Sequence, residues 1–140
     1  MPTPQDQFDE LSFDTLAHPS RDFLHQNAVD AFAAQLADET TKPIKIVFAL
    51  VGLYLTLEHG YTGKQVQRIH MQLAARRKQW PRPELPATRG NITVAEVLAA
   101  QPGEARDRAI RAWCISVWEP YQPTRELIHN LLKSELGLDL

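Results

Sequence analysis

The stretch Ile44-Lys45-Ile46-Val47-Phe48-Ala49-Leu50-Val51-Gly52-Leu53-Tyr54-Leu55-Thr56-Leu57 is apolar on every side when wound as a helix, interrupted only by Lys45 and Thr56. A helix wet on one face repeats its apolar residues with a period of about 3.6, so this one is expected to be buried all round. Spanning a bilayer takes about 20 apolar residues, and the run ends sooner, at Glu58-His59-Gly60. It reads as the central helix of a helical protein. Pro43 suits its first turn, and Gly60 suits a left-handed C-cap. No membrane association is expected.

Upstream, His18-Pro19-Ser20 offers a turn with Ser20 as N-cap, and Asp22 falls in the first turn of a helix expected from Arg21 to Ala37. The stripe His25, Val29, Phe32, Leu36 is its apolar face, with Leu24, Ala28 and Ala31 beside it. Gln26, Asp30, Ala33 and Ala37 make a smaller, more polar side. Residues 1–17 are acidic and read as a flexible lead-in, with neither a secretory signal nor a transit peptide. Downstream, Thr62 caps a helix from Gly63 to Lys78 that buries Val66, Ile69, His70, Leu73 and Ala74. The prolines between Trp80 and Asn91 impose an extended connection, of a length often given to function.

Thr93-Val94-Ala95-Glu96 is a capping box for a short helix to Ala100. The next helix, Glu104 to Glu119, turns Ala109, Ile110, Trp113, Val117 and Trp118 inward. A last one, with Leu127, Ile128, Leu131 and Leu132 on one side, ends at Leu136 before Gly137. No segment alternates with period two. The fold expected is all-α: a single-domain helical bundle over residues 18–140, about five main helices plus one short helix around the central one.

With 140 residues the chain can bury roughly two thirds of its unfolded surface in one core. Cys114 is the only cysteine, which excludes an intrachain disulfide and points to a cytoplasmic location. The net charge of -2 conceals an asymmetry. Residues 1–40 set eight carboxylates against Arg21 alone, whereas residues 64–89 set seven Lys or Arg against Glu84 alone. The two parts can pair within the fold or across a homo-oligomer. Alternatively, Arg76-Arg77-Lys78-Gln79-Trp80-Pro81-Arg82, within the basic segment 76–89, joins cations to an aromatic as single-strand binders do. A pI near 6.2 weighs against nucleic acid.

No His-x-x-x-His, His-Glu-x-x-His, Gly-x-Ser-x-Gly or phosphate-loop motif is present. Cys114, mid-helix, reads as a packing residue. The candidates are therefore spatial. Asp22 and His25 stand at i, i+3, His18 precedes their helix, Glu58 continues the Tyr54 stripe, and His70 sits on the third helix. Convergence of His18, Asp22, His25, Glu58 and His70 would make a divalent-metal site between helices. Failing that, the histidines are partly buried imidazoles satisfied by a carbonyl or carboxylate.

The block from His18 to Gln35 resembles an uncharacterised family of small bacterial helical proteins classed as a domain of unknown function. So do Gly52-Leu53-Tyr54-Leu55-Thr56-Leu57-Glu58-His59-Gly60, Trp80-Pro81-Arg82-Pro83, Asn91-Ile92-Thr93-Val94 and Val117-Trp118-Glu119. The resemblance implies a bacterial, cytoplasmic, helical protein and supplies no activity. Many members of that family add a Cys-x-x-Cys and a His-His pair, which this chain lacks. The functional expectation is a binding or interaction domain, self-associating as a homodimer, with a polar pocket of Asp22, His25, Tyr54 and His70. The alternative is a metal-dependent enzyme using the five ligands above, and a second alternative is single-strand binding through residues 76–89.

Overall fold

Ile46, Val47, Ala49, Leu50, Val51, Leu53, Tyr54 and Leu55 are all buried, as an all-round apolar helix requires. The computed structural model describes residues 1–20, 22–76 and 79–140. Its helices are α1 (Pro4–Ala17), α2 (Leu24–Leu36), α3 (Pro43–His59), α4 (Gly63–Arg76), α5 (Val94–Ala99), α6 (Glu104–Trp118) and α7 (Arg125–Leu136), with a 3-10 turn at Glu119–Thr124. No strand occurs among the described residues. The central run is α3, surrounded by α2, α4, α6 and α7. Gly60 and Gly137 close α3 and α7 in the left-handed conformation. None of these helices is long and apolar enough to cross a membrane.

The chain has one helix more than its periodicity suggests, because residues 4–17 are α1 and not a flexible lead-in. Thr3 and Asp6 form a reciprocal capping box around Pro4. Leu11 is fully buried, and Phe8 stacks on Phe32 of α2 with ring centroids 4.3 Å apart. Acidity concealed two apolar residues, Phe8 and Leu11, at helical spacing. The Thr93 side chain, in contrast, makes no capping bond; the Glu96 N–H is taken by the Thr93 carbonyl. The helix expected from Gly63 is α4, described to Arg76, and its expected continuation through Lys78 lies outside the described residues.

On α2 the expected burial of Leu24, Ala28 and Ala31 is borne out, and the rest of the expected face is overturned. Leu36 is exposed and His25, Val29 and Phe32 are half-buried, whereas Ala28, Ala31, Ala34, Gln26, Asn27 and Asp30 are buried. Small side chains let α2 approach α3 and α6 closely, and burial follows proximity here more than side-chain hydrophobicity. At the closest point a Cβ built on Gly52 of α3 would overlap Oδ2 of Asp30. Gln26 Nε2 donates to Asp30 Oδ1 at 3.0 Å, and Gln67 Nε2 donates to Gln26 Oε1 at 3.2 Å. Asp30 Oδ2 has no partner among the described residues, and burial pushes the carboxyl well above its ordinary range.

The Trp80–Asn91 connection fastens the C-terminal end of α2. Arg89 donates to the carbonyls of Gln35, Ala37 and Pro86, while Gln35 Nε2 donates to Arg89 O and Ile92 O. Trp113 Nε1 donates to Gln35 Oε1 at 3.0 Å, and Tyr121 donates to Ala34 O at 2.6 Å. A helix end without a glycine cap thus has its carbonyls satisfied by side chains. Arg82 donates to Thr41 O. The two arginines described in the extended connection are therefore spent on main-chain oxygens.

Gly52→Ala is expected to lower unfolding free energy by roughly 1–3 kcal/mol through overpacking. Combining it with Asp30→Ala should cost less than the two single losses together, as read by denaturant titration; strictly additive losses would contradict the contact. Below the ordinary carboxyl pKa of 3.8 both folded and unfolded chains hold the Asp30 proton, and above it only the unfolded chain ionises. Burial of this acid therefore subtracts stability as pH rises. Asp30→Asn should raise Tm relative to wild type more at about pH 7 than at about pH 4, measured by circular dichroism.

Candidate functional site

The turn before α2 decides where the polar side chains point. Phe23 is left-handed, with φ 53°, and is the only described non-glycine residue with positive φ. The Phe23 N–H donates to Ser20 O at 3.1 Å, and the Leu24 N–H donates to Ser20 Oγ at 3.0 Å. Ser20 Oγ takes the first amide of α2, but the N-cap is Phe23 and not Ser20, and the helix begins at Leu24 and leaves Asp22 outside it. Asp22 lies in the turn, where its carbonyl accepts from Gly63 N at 2.8 Å and its carboxylate from Arg111 Nη2 at 2.6 Å. His25, already helical, faces α1 instead.

His25 lines a cleft of about 350 Å³ between α1, α2 and α6. Asp14, Thr15 and His18 come from the end of α1 and the residue after it; Ser20, Leu24 and His25 from the start of α2; Pro102, Gly103, Arg106, Asp107 and Ile110 from the start of α6. Arg106 is the strut of this wall. Its Nη1 donates to Asp14 at 3.0 Å and its Nη2 to Leu98 O and Ala100 O at 2.9 and 3.1 Å, tying α1 and α5 to α6. Its Nε is buried without a partner among the described residues. His18 Nδ1 stands 3.4 Å from Asp14, with its side chain in solvent.

His25 Nδ1 and Thr15 Oγ1 are 2.9 Å apart, and Thr15 Oγ1 is 3.2 Å from Ser12 O. Thr15 has one proton. With that proton on Ser12 O, the imidazole donates from Nδ1 and presents Nε2 as a bare acceptor, which has no partner among the described residues. Partial burial pushes the His25 pKa below its ordinary 6.5, so the ring is neutral near physiological pH. The cleft then holds a neutral base beside two carboxylates and one arginine.

The other sequence candidates lie elsewhere. His70 stacks on Phe48 with centroids 4.7 Å apart and meets Phe48 O through Nε2 at 2.8 Å; burial pushes its pKa down. Tyr54 is buried at the far end of α3, its hydroxyl 2.9 Å from His129 Nδ1, and burial pushes its pKa up. Glu58 accepts from Trp118 Nε1 at 2.9 Å and Arg125 Nε at 2.6 Å. The expected convergence fails: His18 and His25 share a cleft, while Asp22, His70 and the Tyr54–Glu58 pair occupy three other places. Among the described residues no group of three or more His, Cys, Asp or Glu is arranged to hold a metal ion. Within the chain, Asp14 and Asp22 of the acidic part meet Arg106 and Arg111 of α6. Cys114 is buried, its thiol pushed up by burial, as a packing residue would be.

A larger groove, about 660 Å³, runs past Phe32, Leu36 and Arg89, but its Gln35 and Arg89 side chains are committed to main-chain carbonyls. The His25 cleft is smaller and keeps an uncommitted imidazole nitrogen. Sequence reading found His18 and His25 and missed Asp14, Thr15, Arg106 and Asp107. The Thr3-Pro4-Gln5-Asp6 capping box, with Phe8 and Leu11 at helical spacing, could have placed Asp14 and Thr15 on a helix.

No curated protein and no solved structure matches this chain. Residues 2–122 match DUF5946, a family of unknown function, and the chain belongs to that family.

Proposed function

We propose that this protein binds a small amine, or another small cation that donates hydrogen bonds, in the cleft between α1, α2 and α6. The observation that carries this reading is the neutral His25, whose Nε2 is left uncommitted in a concave site while Nδ1 is fixed by Thr15. At neutral pH, Asp14 and Asp107 outweigh Arg106 by one negative charge, which favours a cation. The volume of about 350 Å³ lies within the range of ligand pockets. Every residue that lines the cleft falls within the span matched to the family, whereas Arg125 and His129 of the Tyr54 cluster fall beyond it.

Putrescine and 1,4-butanediol, which share a length and differ in charge, are the probes. Putrescine should give saturable chemical-shift changes at His25, Thr15 and Asp107, and His25→Ala should weaken it about tenfold. Equal response to the uncharged diol, or none to either, would sink the reading. Because the imidazole is neutral above its lowered pKa, binding should fall as pH drops through that value, which lies below 6.5, since imidazolium repels the amine.

The self-association reading rests on α1, where Phe13 is 78% and Leu16 54% exposed. Sedimentation velocity should show a concentration-dependent dimer that Phe13→Ser abolishes; a monomer at all concentrations would refute it.

A further inference from the structure

Two helices packed on α2 carry opposite charge. Helix α1 holds Asp6, Asp9, Glu10 and Asp14 and no lysine or arginine, whereas α4 holds Lys64, Arg68 and Arg76 and no carboxylate. Leu11 of α1 and Val66, Ile69 and Leu73 of α4 are buried, so the opposite face of each helix is left in water. On α1 that exposed stripe is Asp6, Glu10, Phe13 and Ala17, at i, i+4, i+7 and i+11, with Asp9 and Leu16 beside it. On α4 it is Lys64, Arg68, Met71 and Ala75 at the same spacing, with exposed Arg76 at its end. Each stripe therefore sets a large apolar side chain among like charges, and Met71 is 73% exposed.

Neither stripe meets its complement inside the chain. Among the described residues no carboxylate pairs with Lys64, Arg68 or Arg76, and Lys64 Nζ lies instead over the Phe23 ring. Asp6 and Asp9 accept from Thr3 and Gln5 at the start of their own helix, and Glu10 pairs with no described cation. Like charges one turn apart repel along each helix, and an opposed face of the other sign relieves both. The molecule carries that opposed face itself. Nucleic acid would suit α4 alone: it would be repelled by α1 and by a net charge of -2, and Arg82 and Arg89 of the following connection are already bound to main-chain oxygens. We propose that α1 of one copy docks on α4 of a second copy, setting Asp6, Asp9 and Glu10 against Lys64, Arg68 and Arg76 around a contact of Phe13 with Met71. This assignment rests on the self-association reading and names the surface that α1 meets.

Two charge-reversed forms of the full chain test the pairing. Asp9→Lys with Glu10→Lys alters α1 alone, and Arg68→Glu with Arg76→Glu alters α4 alone; all four side chains are exposed, and circular dichroism checks that both forms fold. In sedimentation velocity at low salt, each form by itself should associate about a hundredfold more weakly than wild type. An equimolar mixture should regain association, because each form supplies the face that the other has lost. Wild-type association should also weaken about tenfold as added salt shortens the screening length. If Phe13→Ser dissociates the protein while the α4 form associates as wild type does, self-association through α1 stands and its docking on α4 is overturned. A mixture that stays monomeric overturns it as well, and wild type monomeric at every concentration removes both. Binding of a single-stranded oligonucleotide that the α4 reversal abolishes, with association unchanged, would assign α4 to nucleic acid instead.

Discussion

The approach of α2 to α3 is the constraint on which the rest of the structure depends. Ala28, Ala31 and Ala34 on α2 and Gly52 on α3 remove the side-chain volume that normally holds helices about 8–10 Å apart. That proximity carries Asp30 into the core against a glycine backbone, where only a neutral carboxyl is affordable. It also buries Asn27 and Gln26. A hydrophobic ranking of α2 therefore gives the wrong inner face, because at a close helix crossing the small residues go inside whatever their polarity. Leu36 and Phe32 serve the rim, where α1 stacks Phe8 upon Phe32.

The fold was legible because its signals are local. The all-round apolarity of residues 44–57, the cap glycines Gly60 and Gly137, and the prolines after Trp80 each act within a few residues and need no knowledge of partners. The acidic α1 was missed for a related reason: charge on its solvent face dominated a short stripe of Phe8 and Leu11 whose meaning depends on Phe32 being opposite. The site was less legible because it is assembled from α1, α2 and α6, separated by as many as 92 residues in the Arg106–Asp14 contact. No spacing rule connects those positions.

Arg106 and Arg89 do similar mechanical work at opposite ends of α2. Each uses a guanidinium to satisfy carbonyls that would otherwise be stranded, Leu98 and Ala100 for Arg106, Gln35 and Ala37 for Arg89. The five donors of an arginine in a planar fork suit this role better than the single ammonium of a lysine. Arg106 thus ties α1 and α5 to α6, and Arg89 ties the long connection to the end of α2.

Phe23 then explains why Asp22 and His25 meet different neighbours. Had the helix included Asp22, that residue and His25 would share a face at i, i+3, as the sequence alone suggests. A left-handed residue between them ends that relation. Such a conformation costs roughly 1–2 kcal/mol for a residue with a side chain, and it is offset here by local bonds. Ser20 takes the Phe23 and Leu24 amides, the Phe23 carbonyl takes the Gln26 amide, and Lys64 Nζ lies 4.1 Å from the Phe23 ring centroid. Gly63 belongs to the same arrangement, since a Cβ there would overlap the Phe23 carbonyl. The break sends Asp22 to Arg111 and His25 to Thr15, so the carboxylate is committed to an ion pair while the imidazole enters the cleft.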